Sequence, residues 1–153
     1  MHHINPDHYL NVDGIRLWTA ERSERAWASA YAGFEAALTA RNGNATVYLV
    51  CGMQGAGKTT WVENRPDNDN EIYFDAALPA REHRMPLIQL ARGNCKKLVS
   101  VWIDTPISMA KQRNKSRRAD HVVPESSLVA VAERFEPPST SEGFDTCFRI
   151  TKL

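Results

Sequence analysis

Thr46-Val47-Tyr48-Leu49-Val50-Cys51-Gly52-Met53-Gln54-Gly55-Ala56-Gly57-Lys58-Thr59-Thr60 is the stretch that decides the fold. Its first six residues form a short apolar run rich in β-branched side chains, which suits a central parallel strand covered on both faces. Gly52 to Thr59 then matches G-x-x-x-x-G-K-[ST] in full. Each part of that pattern has a mechanical reason. Glycines let the backbone turn with positive φ and bring its N–H groups against phosphate oxygens. Lys58 reaches β- and γ-phosphates as a point charge, Thr59 offers a hydroxyl to Mg²⁺, and the helix that follows aims its N-terminus at the anion. The expected cradle is Gly52, Met53, Gln54, Gly55, Ala56, Gly57, Lys58, Thr59 and Thr60.

Outward from this stretch, strands and helices alternate. Glu71 to Asp75 reads as a second strand and Leu98 to Ile103 as a third, with a final strand at Thr146 to Thr151. Helices are predicted from the Thr19 cap to about Arg41, from the glycine-rich turn to about Asn64, and from Ala80 to Ala91 with Pro86 as a kink or restart. Two more are predicted at Pro106 to Arg117, begun near Asp104-Thr105, and at Pro124 to Phe135 with Pro124 at the first helical position. Trp27, Ala30, Tyr31, Phe34, Ala37 and Leu38 repeat at helical spacing, so they read as core. The first 18 residues read as irregular, with Pro6, Asp7, Asp13 and Gly14 as turn-formers. Alternation of this kind implies an α/β fold with a parallel sheet and right-handed crossovers.

With 153 residues, 42% hydrophobic and 24% charged, the chain has the length and composition of one globular domain. Its 19 Lys and Arg against 18 Asp and Glu argue against a whole-surface nucleic-acid binder while leaving room for a local basic patch. Cys51, Cys95 and Cys147 are odd in number and widely spaced, which reads as buried thiols in a reducing, cytoplasmic setting. No run approaches the length of a membrane span, and Met1 to Asp7 lacks the apolar region of a signal peptide. His2, His3, His8, His83 and His121 show no metal-ligand spacing, so no zinc site is expected.

Other residues carry weaker signals. Asp75 ends a strand, where ligands of parallel sheets gather; a carboxylate there holds a Mg²⁺ water or accepts a hydroxyl proton, or else caps a helix. Lys111, Arg113, Lys115, Arg117 and Arg118 put five cations in eight residues. Arg113 and Arg117 share a helical face and could close over transferring phosphates as a lid, although most such runs are solvated faces. Arg81 and Arg84 are candidates for substrate phosphate or plain surface residues. Asp7 and Asp13 are candidate substrate-side groups, with turn formation the competing role.

Several segments, taken in order, resemble the P-loop kinases of the polynucleotide kinase type, whose relatives include zeta toxins and chloramphenicol phosphotransferase. They are Val50 through Thr60, Tyr73-Phe74-Asp75 with Arg84, Leu87 and Ile88, the Arg113-Asn114-x-x-Arg117 pair, Val123-Pro124-Glu125, and the tail Arg134 through Asp145. The tail is similar to an FE-x-P-x-x-x-EGF signature. The resemblance covers roughly residues 46–151. It implies a three-layer P-loop NTPase fold with a parallel sheet of about four to five strands and the P-loop strand central. It also implies transfer of the γ-phosphate of ATP, with Mg²⁺, to a hydroxyl acceptor such as a polynucleotide 5′-hydroxyl or a small molecule. Lys58, Asp75, Arg113, Arg117 and Asp7 are the catalytic candidates; Thr59 and Asp75 are the metal-side pair.

The chain departs from the family in one place. The interval between the P-loop helix and the next strand is only about a dozen residues, too short for the usual Asp-ended strand and substrate-side helices. Comparable material precedes the P-loop, which suggests a permuted order. One domain over 1–153 is expected: an N-terminal substrate-side segment at 1–45 and a nucleotide-binding core at 46–153, with a lid near 111–123. In that order Asp7 or Asp13 is the base and Asp75 lies on the Mg²⁺ side; otherwise Asp75 is the base. A non-catalytic ATP- or GTP-binding regulatory module is the alternative.

Overall fold

The computed structural model describes residues 1–152. Five parallel strands form one sheet: β1 (His2–Ile4), β4 (Thr46–Cys51), β5 (Glu71–Asp75), β6 (Lys97–Ile103) and β7 (Thr146–Ile150), in the order β1-β5-β4-β6-β7. A separate two-stranded hairpin joins β2 (Asn11–Val12) to β3 (Ile15–Arg16). Helices α1 (Ala20–Ala40), α2 (Lys58–Glu63), α3 (Arg81–Ala91), α4 (Ile107–Lys115) and α5 (Glu125–Glu133) connect the strands. The chain is therefore α/β with helices on both faces of a parallel sheet, and β4 is its central strand.

Adjacent residues of β5 show why there are three layers. Successive side chains of a strand point to opposite faces. Phe74 meets Phe34 of α1 edge-on, ring centres 5.5 Å apart, and shares a core with Leu87 and Ile88 of α3. Tyr73 points the other way, stacks on Tyr48 at 4.7 Å and meets Trp61 of α2 at 6.2 Å. Each fully buried aromatic of this kind is worth about 1.5–3 kcal/mol of hydrophobic stabilisation. α1 starts where expected, the Thr19 hydroxyl accepting from the Arg22 amide at 3.1 Å.

The N-terminal segment corrects the expectation of irregular chain. His2 to Ile4 pairs with Ile72 to Phe74 as a parallel edge strand, and Pro6–Leu10 forms a 3₁₀ helix capped by Asn5. Three residues are too few to carry a period, so the strand has no signature of its own. Helix boundaries also shift. α4 starts at Ile107 after a Pro106 cap and ends at Lys115, short of Arg117. Pro124 is likewise the cap of α5 and not its first turn, and α3 runs through Pro86. The three cysteines are free; Cys51 is buried, whereas Cys95 and Cys147 are only half-buried. Among the described residues, no helix is long and apolar enough to cross a membrane.

Candidate functional site

β4 carries the chain into the glycine loop at the carboxyl end of the sheet. A Cβ on Gly52 (φ +148°) would lie 2.6 Å from the Ile103 carbonyl oxygen, and one on Gly55 (φ +78°) 2.6 Å from that of Ala110. Both contacts are with backbone, so only glycine fits while the loop lies this close to β6 and α4. The Lys58 ammonium donates to the Gly52 and Met53 carbonyls, each at 3.0 Å, spanning the loop's start. Burial lowers the Lys58 pKa, and the charge of Asp75 opposes that shift.

Asp75 is fully buried at the end of β5, and one of its oxygens is crowded. Oδ2 accepts from Thr59 Oγ1 at 2.7 Å, Asn5 Nδ2 at 3.1 Å and His3 Nε2 at 3.2 Å. Oδ1 is buried with no protein partner. Burial alone would raise this carboxyl. The His3 hydrogen bond, the Lys58 charge and the Thr59 hydrogen bond outweigh burial and hold it below the usual carboxylate range. An ionised carboxylate with one idle oxygen, next to a threonine hydroxyl, is a donor set suited to Mg²⁺, which takes one or two protein oxygens and fills the rest of its shell from phosphate and water. Among the described residues, no group of three or more His, Cys, Asp or Glu side chains is arranged to hold a metal.

The N-terminal segment supplies the facing wall. Asn5 links the two candidate residues: its Oδ1 accepts from the Asp7 backbone amide at 2.9 Å while its Nδ2 donates to the Asp75 carboxylate. Asp7 Oδ2 in turn accepts from Arg16 Nη1 at 3.1 Å, and the Asp7 side chain is 50% exposed. Its charge is felt by both Lys58 and Arg117. Asp13 sits apart from this group. With Gly14 it makes the positive-φ turn of the hairpin (φ +49° and +80°), the backbone demanded by a tight type I′ connection. Turn formation is its role.

The basic run divides by function of place. Arg113 Nη1 donates to the Ala56 carbonyl of the loop at 3.1 Å, beside Thr105 Oγ1 at 2.9 Å on the same oxygen. Arg117 lies beyond the end of α4 and is exposed; partial desolvation and the neighbouring Arg16 lower its pKa, with the charges of Asp7 and Asp75 acting against them. Lys111 pairs with Glu125 at 2.8 Å. On the outer side of the loop, Met53, Trp102, Asp104, Thr105, Ala132 and Phe135 line most of a groove of about 200 Å³.

Arg84 is corrected, and Arg81 is a surface residue. Arg84 is fully buried and bound through Nε and Nη2 to Glu142 at 2.8 and 3.2 Å, and through Nη1 to the Leu78 carbonyl at 2.9 Å. Arg81 donates to the hydroxyls of Ser139 and Ser141. Both arginines fasten the tail before β7, and the buried Arg84 leaves no open guanidinium for a substrate phosphate. His3 and Asn5 were not anticipated. No signal in the sequence could have found them, because the edge strand that brings His3 to the site is only three residues long. No protein-family model matches the chain, and no curated protein matches it.

Proposed function

We propose that this chain is a P-loop phosphotransferase moving the γ-phosphoryl group of ATP to a hydroxyl acceptor, a polynucleotide 5′-hydroxyl or a small hydroxylated compound. The observation that carries the reading is the carboxylate of Asp75. It is ionised and buried, bonded through one oxygen to Thr59, and it keeps its other oxygen free beside a full glycine loop. Thr59 and Asp75 would hold Mg²⁺, which supplies neutralisation of phosphate charge when bound.

This chain's own groups divide the remaining work. Loop amides and Lys58 bind the phosphates, and the groove beside Met53 and Trp102 receives the nucleoside. Asp75 is a poor base, because its Oδ2 is saturated by three donors and its Oδ1 is the oxygen left to hold Mg²⁺. Asp7 is the better base: half-exposed, held by a single arginine contact, with lone pairs to spare. It takes the acceptor hydroxyl's proton as that oxygen attacks phosphorus. Arg113 ties the lid helix to the loop, and Arg117 offsets charge on the transferring group.

Incubation with γ-labelled ATP, Mg²⁺ and a panel of acceptors tests this: 5′-hydroxyl DNA and RNA, nucleosides, sugars and aminoglycoside-like compounds. Labelling of at least one acceptor is the expected result. Labelling of none, with tight ATP binding, points instead to a regulatory nucleotide-binding module.

A further inference from the structure

The β2–β3 hairpin is too small to hold itself. Its only ladder pairs Asn11 with Arg16 and Val12 with Ile15, and Val12 and Ile15 are both exposed. Isolated hairpins of far greater length are marginal in water. Its base is closed by the Leu17 amide on the Leu10 carbonyl and by Arg22 of α1, while the partners of its tip and of Arg16 lie in the segment that follows α4. The Asp120 carboxylate Oδ2 accepts from the Arg16 amide at 2.8 Å, 104 residues away in sequence. Arg118 Nη2 donates to the Gly14 carbonyl at 3.0 Å, and its Nε lies 3.2 Å from Asp120 Oδ1. Asp120 is thus the hub of both contacts.

The two segments joined this way each lead to a residue of the site. Arg16 holds Asp7 through its guanidinium while its own amide is held by Asp120. The Asp120 segment follows α4, whose Arg113 Nη1 donates to the Ala56 carbonyl of the loop at 3.1 Å. We propose that Asp120 is a positioning residue that latches the arginine segment on the nucleotide side to the hairpin on the acceptor side, so that both walls order over Asp7 as one unit. This rests on the phosphotransferase reading of the site. Its consequence is reciprocal: nucleotide that orders residues 111–121 also orders 11–16, and an acceptor that orders the hairpin tightens nucleotide binding by the same factor.

Amide exchange followed by NMR on the full chain tests the latch. Without nucleotide, Asp120→Ala should speed exchange at Arg16 by about tenfold or more, the effect of removing a charge-assisted acceptor. Asp120→Asn keeps an acceptor oxygen and should restore most of that protection. With Mg²⁺ and a non-hydrolysable ATP analogue, wild-type protection should extend from residues 52–59 to 11–16; in Asp120→Ala it should stop at the loop and 111–118. An Arg16 amide indifferent to Asp120→Ala overturns the latch. Protection of 52–59 that never reaches 11–16 in the wild type overturns the coupling alone. No protection at 52–59 fails the phosphotransferase reading and the coupling with it.

Discussion

Thr59 Oγ1 donates to Asp75 Oδ2 across 2.7 Å, tying the first turn of α2 to the carboxyl end of β5. A loop, a helix and a neighbouring strand thereby present two oxygens at one point: the Thr59 hydroxyl and the unpartnered Asp75 Oδ1. The contact makes the strand after the loop part of the site even though the chain between them is short.

Asp75→Asn should therefore weaken binding of Mg²⁺–ATP by tenfold or more and leave metal-free ATP binding nearly unchanged, measured by calorimetry with and without EDTA. The same carboxylate sets an acid limb. Because Asp75 is held below the usual carboxylate range, its ionised form stabilises the fold above about pH 4 and that contribution is lost as pH falls through the depressed value. Thermal melts across pH should show that loss in the wild type and a flatter acid limb in Asp75→Asn.

Lys58→Ala removes the cation that spans Gly52 and Met53. Loss of one preorganised group facing transition-state charge typically costs about 10²–10³ in turnover. The γ-label assay should show at least that loss, with an unchanged far-ultraviolet spectrum. Wild-type transfer by this variant would refute the site.

What could be read from the chain followed local strength of pattern. β4, the loop and β5 were legible because an apolar strand, a complete phosphate-loop pattern and a carboxylate occur within thirty residues. β1 was not, because His2 to Ile4 gains its meaning only from pairing with residues 72–74. That pairing also hid His3 and Asn5. Arg84 misled for a different reason: a charged residue on a helix reads as solvent-facing, and its partner Glu142 lies 58 residues on. The helix expected to carry Arg117 ends at Lys115, because Ser116 caps it and the chain turns there.

Arg84→Met should destabilise the fold severely. Removing one member of a buried ion pair strands the other, here Glu142 at 5% exposure, at a cost of about 3–5 kcal/mol. In a chain of this size that corresponds to a fall in Tm of about 10 °C. The paired change Arg84→Met with Glu142→Leu should recover much of the loss, since an apolar pair leaves no buried charge. Scanning calorimetry of the wild type and these two variants decides it: equal losses in Arg84→Met and the double variant would mean the ion pair is not the cause.

Asp7→Asn separates chemistry from binding. The amide keeps the residue's size and can still meet Arg16, and the Asp7 backbone amide keeps its bond to Asn5. What goes is the group that takes the acceptor's proton, and a positioned base contributes about 10²–10⁴ in rate. Turnover should fall by that order while affinity for Mg²⁺–ATP changes less than threefold. Asp13→Asn is the control, since Asp13 only shapes the hairpin turn and should leave transfer within twofold of wild type. Single-turnover transfer and nucleotide binding, measured on both variants, discriminate the carboxylates. Transfer that survives Asp7→Asn but not Asp75→Asn, with Mg²⁺–ATP binding intact in both, would move the base from the N-terminal segment to β5.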